Sequence, residues 1–264
     1  MMITSVQNPK FKQAFRLFKR KERDMHQRFL IEGYRELLRA HEGGWEVETL
    51  YYCPDLFLGT NEFLLIKNIQ KKGASTFEMC KKVFTRLSYR DRPDGLIGIG
   101  KYTFRSLNQL LRKGVSPFLV VTEAIEKPGN LGTIFRSADA AGATGVIVCD
   151  KCTDPYNPNV VRASVGTLFT VPLAEAGGSE TLDWLQAHKI PLIATTPGAD
   201  LEYFDTDLTG PIAIAVGTEQ LGLTDKWLTR ADKKVKIPMS GRADSLNVAT
   251  ATTLLLYEVV RQRR

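Results

Sequence analysis

Small polar and charged residues recur in three loops of the second half of the chain, and each loop follows a short apolar run. The first reads Glu126-Lys127-Pro128-Gly129-Asn130, with Arg136 six residues past Asn130. An Asn there can cap the helix that follows, and six residues is nearly two helical turns. The second reads Val216-Gly217-Thr218-Glu219-Gln220-Leu221-Gly222. Gly217 would let the backbone approach a ligand closely, and Glu219 falls on the connection between a strand and a helix. The third runs from Ile237, Pro238 and Met239 to Asp244, Ser245, Leu246 and Asn247, placing two small polar side chains at the entrance of an apolar helix. Open α/β sheets bind ligands in loops that leave the strand ends. Taken singly, each loop has an ordinary explanation, because Asn and Ser cap helices widely.

Other patterns lead nowhere. Cys149 and Cys152 form a C-x-x-C, but no second pair or nearby histidine completes a zinc site. Cys149 also ends an apolar run, where a thiol behaves as a small hydrophobe. With Cys53 and Cys80 the chain has four cysteines, too few for a disulfide scaffold. Residues 95–102 nearly spell a phosphate-binding loop, yet Tyr102 stands where Ser or Thr must hold magnesium, and the stretch is itself strand-like. No G-x-G-x-x-G joins a strand to a helix, and no G-x-S-x-G elbow occurs. His26, His41 and His188 are scattered without metal-ligand spacing, so no metal is expected.

The elements that must carry the three loops follow a regular pattern. Apolar strands are expected at 118–125, 146–149, 168–173, 191–195, 211–216 and 234–237. Helices at 131–143, 159–165, 180–188 and 225–231 fall between most of them. Such alternation predicts an α/β fold, a parallel sheet covered by helices. A last helix, 245–261, is apolar on most faces and belongs in a core or a subunit interface. Upstream, helices at 10–23 and 33–41 mix with extended stretches at 46–52, 63–66 and 95–100, and 106–117 reads as a linker.

Charge divides the chain in the same way. Residues 1–110 hold 20 Lys and Arg against 12 Asp and Glu, whereas residues 111–264 hold 16 against 17. A segregated excess suggests a domain that meets a polyanion. The first helix would bury Phe11, Phe15 and Phe18 at i, i+4 and i+7 and turn its cations outward. Lys10, Lys12, Arg16, Lys19, Arg20, Arg23 and Arg28 are the candidate contacts. No stretch approaches a membrane span and the N-terminus lacks the apolar core of a signal peptide, so a cytoplasmic protein without membrane attachment is expected.

In this order, the three loops resemble the motifs of the SpoU (TrmH-like) family of RNA ribose methyltransferases in the SPOUT superfamily, over about residues 117–262. Thr218 stands where Asn is common in that family, and Gln220 where Gly is common. Upstream, residues 29–33 (Phe-Leu-Ile-Glu-Gly) and 87–95 (Leu-Ser-Tyr-Arg-Asp-Arg-Pro-Asp-Gly) resemble the family's substrate-binding domain, which is similar to ribosomal protein L30e. The resemblance implies an RNA-binding domain over 1–104, a linker over 105–116 and a methyltransferase domain over 117–264. It also implies a deep trefoil knot, a topology that general folding rules exclude. S-adenosylmethionine would lie bent among the knot loops, held mainly by backbone groups around Thr195, Thr196, Gly198, Gly217, Ile237, Met239 and Leu246. A homodimer would complete each site across its interface.

The activity so implied is transfer of a methyl group to a ribose 2′-hydroxyl. Arg136 would clamp an RNA phosphate and stabilise the developing alkoxide, since a guanidinium does not deprotonate in proteins. Asn130 would orient Arg136 or the ribose, Glu219 would anchor basic or hydroxyl groups, and Ser245 with Asn247 would fix the third loop. Ribosomal RNA is favoured over transfer RNA, because the separate basic domain resembles those of members acting on large-subunit rRNA. The rivals are a non-catalytic RNA-binding dimer, distinguished by cofactor binding, and a dinucleotide oxidoreductase, disfavoured by the missing glycine fingerprint.

Overall fold

The computed structural model describes residues 2–264. Its first elements are α1 (Pro9–Arg16), α2 (Arg20–His26), β1 (Arg28–Glu32), α3 (Tyr34–Glu42), β2 (Val47–Tyr52), α4 (Glu62–Lys71), β3 (Ser75–Glu78), α5 (Lys81–Leu87) and β4 (Leu96–Lys101). Then come β5 (Phe118–Glu123), α6 (Pro128–Ala141), β6 (Gly145–Cys149), α7 (Pro158–Ala163), β7 (Leu173–Ala176), α8 (Gly178–Ala187) and β8 (Leu192–Thr195). The chain closes with β9 (Leu201–Glu202), β10 (Ile212–Val216), α9 (Asp225–Arg230), β11 (Lys233–Lys236) and α10 (Val248–Gln262). Two compact units result. One holds the residues up to Thr103 together with Asp154–Thr170; the other holds Phe104–Thr153 and Val171–Arg264.

The first unit is built on a four-stranded mixed sheet in the order β1-β4-β2-β3. β4 runs antiparallel to both neighbours and β2 parallel to β3. Its core gathers Phe11, Leu17, Tyr51, Phe84 and Ile97. The basic N-terminal stretch is two helices rather than one. α1 begins at the Asn8 cap with Pro9 behind it and ends at Leu17, and α2 restarts at Arg20. The break at 17–19 takes Phe18 off the helical stripe, and Phe15 is 49% exposed. Residues 63–66, expected to be extended, lie inside α4, where Leu65, Ile66 and Ile69 turn inward with helical spacing.

Arg23 corrects the list of RNA contacts. Its side chain is 1% exposed. Nε and Nη2 bond Asp154 Oδ2 at 2.8 and 2.7 Å, and Nη1 donates to the carbonyls of Leu17 and Phe18. The guanidinium therefore closes the turn between α1 and α2 and neutralises a buried carboxylate.

The second unit carries a seven-stranded sheet in the order β7-β6-β5-β10-β8-β11-β9, every neighbouring pair parallel. β5, β6 and β10 are buried along their whole length, as continuous apolar runs in a sheet covered on both faces must be. Residues 168–173, expected to be a strand, instead make a 3-10 turn (Thr167–Phe169) before β7 begins. The 106–117 stretch holds a 3-10 turn closed by a Ser106–Gln109 capping box, and its Leu107 and Leu110 are buried in this unit's core. α10 packs on α6, where Ser137 Oγ and Thr253 Oγ1 lie 2.7 Å apart, while Leu254 and Tyr257 remain exposed. Because all strands run the same way, the loops after β5, β8, β10 and β11 leave one edge of the sheet.

Removing Arg23 alone would strand Asp154 as a buried, unpaired charge. Arg23→Ala should therefore lower stability by about 3–5 kcal/mol, far beyond a surface substitution. A urea unfolding midpoint indistinguishable from wild type would contradict this reading of the pair.

Candidate functional site

Two carboxylates organise the edge where the loops meet. Glu123 ends β5 and is buried, yet both its oxygens are satisfied by the loop that follows the neighbouring strand β10: Thr224 donates its backbone N–H at 2.8 Å and its hydroxyl at 2.7 Å. This ties the start of α9 to the end of β5. Glu219 lies higher on the same β10–α9 connection. It accepts from Asn130 Nδ2 at 2.7 Å and from the backbone N–H groups of Glu126 and Lys127 at 3.2 Å each. Those two residues lead directly into α6, whose N-terminal cap residue, Lys127, has no side-chain cap of its own. The carboxylate thus caps the helix from outside, where the helix dipole favours negative charge.

Asn130 is consequently not the cap expected of it. Pro128 sits at the first helical position, so the helix begins before Asn130, which occupies the first turn and points outward from it. Its amide is held at both ends, by Glu219 on Nδ2 and by Asn247 on Oδ1, the latter donating from Nδ2 at 3.1 Å. Opposite partners at the two ends fix which way the amide faces. Asn247 in turn caps α10, accepting from the N–H groups of Ala249 at 3.0 Å and Thr250 at 3.4 Å. One chain of hydrogen bonds therefore joins all three loops: Glu219 to Asn130 to Asn247. Glu219 spends its carboxylate on this clasp and forms no ion pair among the described residues.

Partial burial alone would raise the pKa of Glu219, but the hydrogen bonds from Asn130 and the Glu126 and Lys127 amides outweigh it and hold the carboxyl below its ordinary range. It is charged at neutral pH.

Beside the clasp opens a cavity of about 420 Å³, lined by residues from all four edge loops. Thr195, Thr196, Gly217, Ile237, Met239 and Leu246, all singled out from the sequence, line it; Gly198 does not, lying two residues past Thr196. Ser245 lines the cavity but makes no hydrogen bond among the described residues, so Asn247, and not Ser245, secures the third loop. Gly217 has a reason internal to its loop. A Cβ there would stand 2.1–2.2 Å from the backbone of Gly222 and Leu223, because Thr218 and Gly222 exchange backbone hydrogen bonds across a tight turn. Arg136 lies six residues along α6 from Asn130, exposed and without a hydrogen bond or ion pair among the described residues.

The sequence reading missed Lys127 and Asp244, which also line the cavity, and the buried tie of Glu123 to Thr224. The proline at position 128 was the available signal for the first, since it marks the helix start. Other candidates resolve into structure. Cys149 is buried against the Thr181 hydroxyl at 3.2 Å, with its thiol pushed up to about 12 by burial. Among the described residues no cluster of His, Cys, Asp and Glu is placed to hold a metal, and no helix is long and apolar enough to cross a membrane.

The lowered pKa of Glu219 gives a pH test of the clasp. A group depressed in the folded state stabilises fully above its unfolded value and loses that contribution as pH falls through the folded one. Wild type should melt above Glu219→Gln at neutral pH, and the gap should shrink at a pH below the ordinary carboxylate range, where Glu219 takes up its proton. A gap of equal size at both pH values would mean that charge plays no part.

The comparisons agree with this geometry. Residues 117–257 match the SpoU rRNA Methylase family, and residues 8–98 match the MRM3-like substrate binding domain. A 23S rRNA (uridine(2479)-2′-O)-methyltransferase of Streptomyces viridochromogenes is 35% identical over 270 residues, spanning 99% of this chain and 92% of that protein. Among solved structures, an RNA 2′-O ribose methyltransferase is 42% identical with a TM-score of 0.85, covering 100% of this chain and 99% of its own. An AdoMet-bound rRNA methyltransferase from Sinorhizobium meliloti is 32% identical with a TM-score of 0.90, covering 99% and 97%. With the matched region spanning every loop of the clasp and its cavity, the chain belongs to the SpoU rRNA Methylase family.

Proposed function

We propose that this protein transfers the methyl group of S-adenosylmethionine to a ribose 2′-hydroxyl of large-subunit ribosomal RNA. The observation that carries the reading is the Glu219–Asn130–Asn247 clasp beside a cavity built from four loops of one sheet edge. Relatives aligned along nearly the whole chain act on ribosomal RNA by name, and one of them holds AdoMet, which favours rRNA over tRNA as the substrate. The residues present fit such a cofactor. Thr195 Oγ1 is buried with no hydrogen-bond partner among the described residues, and it belongs to a cavity residue, where a polar ligand could satisfy it. Thr196, Gly217, Ile237, Met239 and Leu246 would hold the cofactor alongside it.

Bound there, S-adenosylmethionine supplies an activated methyl on a sulfonium. The protein must align the ribose oxygen with it and stabilise charge as the hydroxyl proton leaves. Arg136 is the residue for the charge. Its guanidinium cannot act as a base, but it can clamp a phosphate in two-pronged fashion and stabilise an alkoxide. Glu219 and Asn247 act by positioning: they fix Asn130 in the first turn of the helix that carries Arg136. Ser245, exposed beside the cavity, is free to meet substrate.

In this reading the first unit, the residues up to Thr103 with Asp154–Thr170, forms the RNA-binding domain, and the second unit forms the methyltransferase domain, carrying the family's knot. Lys10, Lys12, Arg16, Lys19 and Arg20 stand exposed for phosphate contacts. Arg28 is engaged by Glu48 at 2.5 and 2.8 Å and would contribute less. The protein works as a cytoplasmic homodimer, with the exposed Leu254 and Tyr257 of α10 at the interface.

Arg136→Ala should cut turnover on ribosomal RNA by about a hundredfold or more, the scale of losing one charge-stabilising donor. S-adenosylmethionine affinity should change little, and Arg136→Lys should rescue poorly, since a point charge does not reproduce a planar fork. Near-normal turnover of the alanine variant in a radiolabelled methyl-transfer assay would place the activating group elsewhere.

A further inference from the structure

The segment at 87–95 matched a family pattern in the sequence, yet nothing in the transfer reaction uses it. Its structure shows a loop held with unusual thoroughness. Glu32, at the end of β1, accepts the Ser88 hydroxyl and the N–H groups of Tyr89 at 2.7 Å and Arg90 at 3.3 Å. Arg90 pairs with Glu36 at 2.5 Å and approaches Asp94 at 3.7 Å, and Asp94 accepts the N–H of Tyr34 at 2.8 Å. Gly33, at φ +115°, lets these groups close in: a Cβ there would stand 2.3 Å from Glu36 and 2.7 Å from Arg90. So much fixation of a short loop leaves its one aromatic side chain, Tyr89, 46% exposed. The clamp itself does not need that ring.

Tyr89 is not alone on the surface. Its ring centroid lies 6.4 Å from that of Phe18, stacked at 27°. Phe18 meets Phe15 edge-on, at 69° and 5.5 Å, and Phe15 stacks on the buried Phe11 at 5.6 Å. At the other end the Arg162 guanidinium sits 5.9 Å over the Tyr89 ring and, among the described residues, donates only to the neutral Asn159 side chain. All of these residues belong to the first unit. The row is therefore anchored at one end in the core, half-exposed along its length at Phe15 and Tyr89, and closed by a cation at the other end. Arg16 and Lys19 flank it, exposed and without an ion pair among the described residues.

Two half-exposed rings, Phe15 and Tyr89, joined through the partly buried Phe18 and set beside uncompensated cations, offer what a single nucleic-acid strand needs: faces for the bases and charges for the phosphates. A double helix offers no unstacked base to such a row. We propose that Phe15, Phe18 and Tyr89 form a stacking platform for unpaired nucleotides of the RNA substrate, with Arg16, Lys19 and Arg162 engaging the phosphates that flank them. The platform rests on the reading of this protein as an RNA-modifying enzyme and adds to it the form of the RNA recognised. The acidic clamp of Glu32, Glu36 and Asp94 acts through the loop, holding Tyr89 in place before RNA arrives, which reduces the ordering cost of binding.

The test compares the full-length protein with its Tyr89→Leu, Tyr89→Trp and Phe15→Leu variants. The probes are a fluorescein-labelled single-stranded decaribonucleotide and a duplex of the same sequence, followed by fluorescence anisotropy. Leucine keeps apolar bulk but removes the π-face, so Tyr89→Leu should weaken single-strand binding about fivefold or more, while Tyr89→Trp preserves or tightens it. Duplex binding should stay within about twofold of wild type for every variant, since a paired base has no free face to lose. Phe15→Leu, on another element, carries the test should the loop variant melt at a lower temperature than wild type. Single-strand affinity unchanged in folded leucine variants would overturn the proposal, as would equal losses for single strand and duplex. Methyl incorporation into ribosomal RNA by the wild-type protein, measured in parallel, separates the two readings. Its absence would sink the function, whereas normal incorporation with unaltered leucine variants would sink the platform alone.

Discussion

A half-buried carboxylate is tolerable only where donors surround it, and Glu219 draws its donors from a different loop than its own. The Asn130 side chain and two backbone amides at the start of α6 satisfy it, and Asn130 then takes its remaining partner from Asn247. Three segments separated by 89 and 117 positions are thereby held in one arrangement. Without the carboxylate, the amides leading into α6 would lose their acceptor and Asn130 would be free to turn. The buried face of α6 sets where the helix lies, and this one charge sets how Asn130 is turned in its first turn.

The parallel sheet makes such a clasp possible. Strands that all run the same way deliver their outgoing loops to one edge, so residues far apart in the chain converge without any long excursion. A second carboxylate, Glu123, does the same work deeper down by fixing the start of α9. The tight Thr218–Gly222 turn above it leaves no room for a side chain at position 217. The result is a cavity with a rigid rim, in which backbone groups of several loops face the same volume. Preorganised polar groups of this kind cost no reorganisation when charge develops during a reaction.

Much of this was legible in the sequence. Alternating apolar runs and helical stretches announced a parallel α/β sheet, and the three polar loops singled out in it meet at one edge. What periodicity could not supply was partnership. Asn130 looked like a cap because Asn usually is one, and nothing local revealed that a glutamate 89 residues away performs that task instead. Arg23 looked like a surface cation among others, because the acid that buries it lies 131 residues downstream. Phe15 and Phe18 fitted a core stripe until the helix broke at Leu17, which left one ring half-exposed and the other only partly buried. Residues 63–66 read as a strand because a short apolar run carries no period of its own. Where a period was readable, the misses came from a local pattern overridden by a distant contact or by the true end of an element.

The central claim is that this edge delivers a methyl group to a ribose oxygen, and the product's chemistry tests it most directly. Large-subunit ribosomal RNA from cells lacking the gene would be incubated with the protein and methyl-labelled S-adenosylmethionine, then divided between alkaline hydrolysis and enzymatic digestion to nucleosides. The account predicts label in a single nucleoside, on its 2′-oxygen, shown by a flanking phosphodiester bond that resists alkaline hydrolysis. Label on a base, with that bond still alkali-labile, would contradict it.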